Sequence, residues 1–221
     1  MRRHLVFIIC YLMFSAALCS CGLIDIDVDT EGQPTRSMTF ERDTIFVMVG
    51  EQFTLKPVFD PDTISNKAVL FISDDTDRVN VDDSQLTALS PGWVKVSCVS
   101  VSGNFLDTCH VCVLPQWEVS EYDYPNDMLV FASVKINGAE PTNDMTVAAL
   151  VGDEARAVGQ WRTFDNSRYM VFRIWENMEQ LILFGYYDHR NHVFDFFPQT
   201  LEFDGETHGS PLQPFVLKID N

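Results

Sequence analysis

The chain is short of positive charge. It has 15 Lys and Arg residues against 32 Asp and Glu residues, which gives a formal net charge of −17 at pH 7. No run rich in Lys or Arg interrupts this acidity. Because an acidic surface repels phosphate backbones and anionic headgroups, the composition argues against nucleic acid as a partner.

The chain also lacks the short motifs of common enzymes. Gly-x-Ser-x-Gly, His-Glu-x-x-His and a phosphate-binding glycine loop do not occur in it. Paired carboxylates are present throughout so acidic a chain, so their presence does not select a glycosidase site. We therefore expect a protein that is not an enzyme and that needs no cofactor.

No apolar run reaches the roughly 20 residues of a membrane span. An apolar block from Leu5 to Leu18 follows Arg2 and Arg3, which is the pattern of a secretory signal. The block ends in Leu18-Cys19-Ser20-Cys21 and resembles the lipobox of bacterial lipoproteins. The resemblance implies cleavage before Cys21 and stable anchoring by several acyl chains on that residue. An ordinary signal peptide with a plain Cys21 is the alternative.

Acidic residues alternate with aliphatic ones just after Cys21, at Asp25, Asp27 and Asp29. The segment loosely resembles the surface-export signals of Bacteroidetes lipoproteins. The resemblance implies a lipid-anchored outer-membrane protein on the cell surface, with the periplasmic face as the alternative. We divide the chain into a signal peptide (1–20), a lipidated tether (21–37), a first domain (38–115) and a C-terminal domain (116–221).

The first domain consists of short runs with period-2 alternation, separated by turn residues. Seven strands at this spacing predict a small Greek-key sandwich. Its landmark residues follow the order of a group 2 bacterial immunoglobulin-like domain: Val49-Gly50-Glu51, Leu55, Phe71-x-Ser73-Asp74-Asp75, Val79-Asn80-Val81-Asp82, Leu86-Thr87-Ala88, Pro91-Gly92 and Cys109-His110-Val111-Cys112-Val113. The resemblance implies an adhesion or spacer module with no shared active site.

Three cysteines remain in the mature body besides Cys21, and an odd number leaves at least one unpaired. If Gly103-Asn104 forms a two-residue turn, Cys98 lies opposite Cys109 on the core face of a hairpin. A disulfide between Cys98 and Cys109 is therefore one prediction. Two buried thiols that pack as small apolar groups are the alternative.

The second half is again rich in β patterns, and no segment has a sustained period of 3.6 residues. About eight strands predict a second sandwich, so the fold class is all-β with two tandem β-sandwiches. The core Val151-Gly152-Asp153-Glu154-x-Arg156 resembles a β-sandwich module of secreted and surface proteins of Bacteroidetes. This resemblance implies a location at the cell surface or outside the cell, but it implies no activity.

Two groups in this half are candidate ligand sites. Asp153, Glu154 and Arg156 sit at a turn, where Arg156 binds a polar ligand or simply pairs with nearby acids. Trp161 and Tyr169 flank the polar stretch 162–168 and are candidates for an exposed, sugar-binding aromatic row, with core packing as the alternative.

His189 and His192 lie in a polar turn. Since a metal site needs a third ligand from elsewhere, the turn is the preferred interpretation and no metal is expected. The sequence thus predicts a membrane-anchored adhesion or scaffold protein whose C-terminal domain binds a surface protein. A glycan-binding lipoprotein of a polysaccharide uptake system is the alternative.

Overall fold

The computed structural model describes residues 35–64, 66–101, 105–119 and 123–220. Within these ranges the regular elements are all strands, and none is an apolar helix of membrane-spanning length. The all-β fold class is therefore confirmed. Cys21, the signal peptide and most of the tether lie outside the described residues, and so does the predicted turn Gly103-Asn104.

Nine strands form the first sandwich, two more than predicted. They are β1 (Ser37–Phe40), β2 (Thr44–Met48), β3 (Gln52–Thr54), β4 (Pro57–Asp60), β5 (Val69–Ser73), β6 (Val79–Asp82), β7 (Gln85–Ala88), β8 (Gly92–Ser100) and β9 (Leu106–Leu114). The sheets have the orders β2-β9-β8-β5 and β3-β7-β6, with the added strands in a separate pair, β1-β4. The first of the added strands lies at the predicted end of the tether, and the second begins at Pro57, a residue that is rare inside strands.

Along these strands, every second side chain is apolar and points into a core between the sheets. Val94, Val96, Val111 and Val113 are all nearly inaccessible, as the period-2 pattern predicts. Strand β2 pairs with β9 in parallel, from Thr44 opposite His110 to Met48 opposite Leu114. Strand β2 therefore lies beside the last strand of this sandwich.

The hairpin register corrects the disulfide prediction. Cys109 lies opposite Val96, and Cys98 lies opposite Asp107, so the two cysteines are diagonal neighbours rather than a facing pair. Diagonal side chains stand roughly 7–8 Å apart, whereas a disulfide needs Cβ atoms about 3.8 Å apart. Both residues are fully buried free thiols, and Cys98 Sγ lies 3.7 Å from Met38 Sδ.

This arrangement predicts unreactive thiols in the folded protein. Burial, with nearby Asp107, raises the pKa of Cys98 to about 11 and that of Cys109 to about 12. The chain from Gly22 onward should react slowly with a thiol-specific reagent at pH 8. Three thiols should then titrate after unfolding without a reductant, whereas a Cys98–Cys109 bridge would leave only one.

Nine strands also form the second sandwich. They are β10 (Asn126–Ile136), β11 (Met145–Val151), β12 (Glu154–Val158), β13 (Gln160–Phe164), β14 (Ser167–Glu176), β15 (Leu181–Asp188), β16 (Val193–Glu202), β17 (Thr207–His208) and β18 (Phe215–Ile219). One sheet has the order β13-β14-β10-β17, with β18 also parallel to β10, and the other has the order β12-β11-β15-β16. The predicted closing strand, Phe215 to Ile219, agrees with β18.

The predicted strand from Ala155 to Trp161 is divided at Gly159. Strand β12 belongs to one sheet and β13 to the other, so the chain changes sheets at this glycine. A Cβ atom on Gly159 would lie 2.7 Å from the ring of Phe172 and 2.9 Å from Met170 Sδ. Only glycine therefore lets the chain cross this close to the core.

Candidate functional site at the domain junction

The two sandwiches have separate cores and meet in a third apolar cluster. Met48 and Leu114 from the first sandwich pack with Tyr187 from the second, and Phe46, Cys112, Trp117 and Phe194 surround them. The ring centroids of Phe46 and Phe194 are 5.8 Å apart, and those of Trp117 and Phe194 are 6.0 Å apart. Aromatic pairs in this range add to the stability gained from burial.

Glu51 is the polar centre of this junction. It follows Gly50, whose φ of +89° makes the tight turn that the Val49-Gly50-Glu51 motif predicts. One carboxylate oxygen accepts a hydrogen bond from the buried Tyr187 hydroxyl, and the other lies 2.6 Å from His189 Nδ1. The backbone N–H of Met48 also donates to this carboxylate, at 3.2 Å. Glu51 thus binds both sandwiches at once.

The histidines of the second sandwich complete the network. His192 Nδ1 lies 3.0 Å from the Tyr187 hydroxyl, and the ring packs edge-on against Phe53 at 5.0 Å. His189 Nε2 lies 2.8 Å from Thr146 Oγ1. The order Thr146, His189, Glu51 is that of a hydroxyl, an imidazole and a carboxylate in a hydrolase relay. We interpret it as structural, because Tyr187 shares the same carboxylate and the chain of bonds crosses the domain boundary.

The junction shifts the pKa of three of these groups, and that of Tyr187 is raised by burial and by its hydrogen bond to Glu51. Burial raises the pKa of Glu51, but hydrogen bonds from Tyr187, His189 and the Met48 N–H outweigh it, so the net pKa lies below the ordinary 4.5. Burial lowers the pKa of His192 below 6.5, assisted by Arg42 and His189 and opposed by the charges of Glu51 and Asp188. At neutral pH the network therefore holds a carboxylate against a neutral His192.

Acid should weaken the junction. A lowered pKa means that the unfolded state binds protons first, so the stabilisation is lost as the pH falls. For His192 the loss begins below about 6.5, and for Glu51 it begins below about 4.5. Urea unfolding at a series of pH values should show this decline, and His192→Gln should flatten its upper part. The exposed His110→Gln is the control, and equal profiles for all three proteins between pH 7.5 and 5.5 would contradict the assignment.

The predicted site at Arg156 is filled by the protein itself. Arg156 is buried, and its guanidinium donates to the carboxylate of Glu176 and, at 2.9 Å, to that of Glu154. The Tyr124 ring covers it at 4.4 Å. Asp153 is exposed at the turn and does not join this cluster. A cavity of about 370 Å³ lies beside it, but Arg156 has its partners already, which favours the ion-pair interpretation.

The predicted aromatic row is wrong in its geometry. Tyr169 is 8% exposed and packs on Phe131, and Trp161 is half-buried against the second core. The stretch 162–168 is a hairpin of β13 and β14 that turns at Asp165-Asn166, both with positive φ. The guanidinium carbon of Arg168 lies 3.9 Å from the centroid of the Trp161 ring. Neither ring presents an open face in a row.

The junction itself was not predicted as a site. Its polar members appear in the sequence only as a turn at Glu51 and a polar turn at His189 and His192. About 140 residues separate them along the chain, so no local spacing brings them together. Within the described ranges, no group of three or more His, Cys, Asp or Glu side chains is arranged to hold a metal ion.

Comparison with known proteins adds neither a family nor a function. No family model and no curated protein matches the chain, so the two family resemblances stay predictions. Domains 4–9 of the surface layer protein SbsC match with a TM-score of 0.33 and 12% identity, over 85% of this chain and 32% of that one. Human protocadherin-24 EC1-2 matches with a TM-score of 0.29 and 11% identity, over 85% of this chain and 100% of that one. The chain thus spans about a third of the first of these proteins, and neither likeness supports a functional argument.

Proposed function

We propose that this chain is a membrane-anchored, non-enzymatic surface module. The first sandwich is a spacer, and the second is the binding head that faces away from the lipid on Cys21. The observation that carries the proposal is the junction, where an apolar cluster and the Glu51 network fix the head on the spacer. A fixed junction suits a protein that must present a surface at a set distance and angle, because little orientational freedom is left to lose on binding.

The anchor is tested with two matched cysteine variants in the full chain. Cys21→Ala should abolish lipid attachment, measured by mass spectrometry of the N-terminal peptide, and should release the protein from the membrane fraction. Cys19→Ala keeps Leu18, Ser20 and Cys21, and should stay anchored. Membrane association that survives Cys21→Ala would overturn the anchor. Protease added to intact cells then distinguishes the cell surface from the periplasmic face.

The binding head is tested with the soluble chain from Gly22 onward. Immobilised on beads, it should capture a protein from the surface of intact cells, and a variant without the second sandwich should not capture it. The glycan alternative no longer has its aromatic row, because Tyr169 is buried and Arg168 covers Trp161. On a glycan array, Trp161→Ala should therefore bind like the unaltered chain.

A further inference from the structure

A second cleft lies at the junction, next to the Glu51 network. The first sandwich contributes Arg42, the strand β3 and Lys56, and the second contributes the turn Arg190–His192. The cavity measures about 300 Å³, which is at the lower end of the range for small-ligand sites. Neither sandwich alone forms it, so the cleft exists only when the junction is intact.

The charge of this cleft is opposite to that of the chain. Three basic side chains line it, Arg42, Lys56 and Arg190, together with one acid, Glu41. Across the whole sequence the acids outnumber the bases by 32 to 15. Within the described residues none of the three bases makes an ion pair, whereas Lys67 and Arg173 elsewhere are paired with carboxylates. The cleft therefore presents three cations that pair with no carboxylate of the described residues.

The nearest carboxylates of the junction are already in use. Asp188 accepts hydrogen bonds from the backbone N–H groups of Arg190 and Asn191 and from the Asn191 amide. Glu51 is bound to Tyr187 and His189. These bonds occupy both carboxylates, so neither pairs directly with the basic side chains of the cleft, and they also fix the turn that carries Arg190.

The cleft is held in shape before any ligand arrives. Arg42 donates a hydrogen bond from Nη1 to the backbone oxygen of Asn191, across the domain boundary. Phe53 supports the ring of His192 at 5.0 Å from the other side. A preformed site loses less entropy on binding than one that must be ordered.

The lining combines fixed charge with groups that bind hydroxyls. Guanidinium groups hold carboxylates and sulfates through paired hydrogen bonds. Gln52 carries an exposed amide that donates and accepts, while Thr54 and Asn191, whose side chains donate to Gln85 and Asp188, still offer acceptor oxygens. We propose that this cleft binds an acidic oligosaccharide, a glycan whose sugars carry carboxylate or sulfate groups.

An acidic peptide fits the same lining less well. Peptides are bound through Arg clusters that recognise acidic motifs, or by adding a strand to a sheet edge, where main-chain hydrogen bonds supply the affinity. The edge strand at the cleft, β3, has only three residues and gives few such bonds. A sugar needs no strand edge, and its hydroxyl groups match the amide and hydroxyl side chains beside the cations.

The test is calorimetric titration of the chain from Gly22 onward. The probes are an oligogalacturonate hexamer, a heparin-derived sulfated hexamer, neutral cellohexaose and a hexaglutamate peptide. We expect at least one of the two acidic sugars to bind, and we expect 0.5 M salt to weaken that binding at least tenfold. Binding of cellohexaose should be undetectable. The two acidic probes distinguish carboxylate from sulfate recognition.

The variants locate the site. Arg190→Gln and Lys56→Gln should each weaken binding about tenfold or more, while Lys135→Gln and Arg162→Gln, which lie outside the cleft, should not. Unchanged thermal midpoints show that a loss is not unfolding. Four outcomes would overturn the proposal: no binding of either acidic sugar, equal binding of cellohexaose, binding of hexaglutamate alone, or retention of full affinity in Arg190→Gln/Lys56→Gln. Because the titration needs no lipid, its failure is distinct from failure of the anchor at Cys21.

Discussion

Arg156→Met is expected to lower the free energy of unfolding by about 3–5 kcal/mol, the cost of leaving a buried charge unpaired. Its partner Glu176 is only 3% exposed. Without Arg156 this carboxylate keeps only the two hydrogen bonds from Asn177, at 2.7 Å from the backbone and 3.2 Å from the amide. The Tyr124 ring also loses the cation that it covers. Urea unfolding of the chain from Gly22 onward measures the loss.

The chain offers a matched control for this substitution. Arg173 has the same two kinds of partner, the carboxylate of Asp127 at 2.8 Å and the ring of Trp175 at 4.3 Å. Its side chain, however, is 54% exposed, so Arg173→Met should cost less than about 1 kcal/mol.

A double variant separates the lost charge from lost packing. Arg156→Met/Glu176→Leu removes both charges and should recover much of the stability, because a buried pair can be replaced by apolar groups at little cost. If Arg156→Met costs no more than Arg173→Met, the buried pair is not what stabilises this end of the sandwich.

Glu51→Ala is expected to uncouple the two sandwiches. Hydrogen bonds to a charged group contribute about 1.5–3 kcal/mol each, and Glu51 receives them from Tyr187 and His189 of the other sandwich. The substitution leaves the buried Tyr187 hydroxyl with two uncharged partners, the Phe46 oxygen at 3.2 Å and His192 Nδ1 at 3.0 Å. We expect a loss of about 2–4 kcal/mol of coupling, and scanning calorimetry should then resolve two transitions where the unaltered chain gives one.

Two further variants control this result. Glu41→Ala removes an exposed acid from the same side of the first sandwich and should leave a single transition. Glu51→Gln keeps an oxygen that accepts a hydrogen bond from Tyr187 but loses the charge. Its coupling between the sandwiches should lie between that of the unaltered chain and that of Glu51→Ala. A single transition in Glu51→Ala, at the unaltered temperature, would show that the apolar cluster alone joins the domains.

The alternation of apolar and polar residues predicted most of the strands. It did not predict which residues lie opposite each other or which distant residues meet. Alternation placed Val94, Val96, Val111 and Val113 on the core face, because side-chain direction in a strand depends only on the period of 2. The facing of Cys98 and Cys109 also required the register of the hairpin, and the observed register differs from the predicted one by two residues. That displacement leaves both cysteines in the core but removes the disulfide.

The predicted aromatic row was wrong, and the Glu51 junction was not predicted, for a related reason. Trp161 and Tyr169 border a polar stretch, and nothing in their spacing revealed that the stretch is itself a hairpin. The role of Glu51 depends on His189 and Tyr187, which follow it by more than 130 residues. A turn glutamate with no local partner gives no signal of this kind, and only the meeting of the two sandwiches reveals it.

The parallel pairing of β2 and β9 determines how the first sandwich carries a mechanical load. A protein tethered at its N-terminus and held at its second sandwich is pulled first at β1 and, once β1 has separated from β4, at the Thr44 end of β2 and at the Leu114 end of β9. These are opposite ends of one ladder, so the pull is a shear along it. The evenly spaced hydrogen bonds of a parallel pair are then loaded together and cannot open one at a time. We therefore expect the sandwich to resist tension between the membrane and a bound partner better than a hairpin loaded at one end.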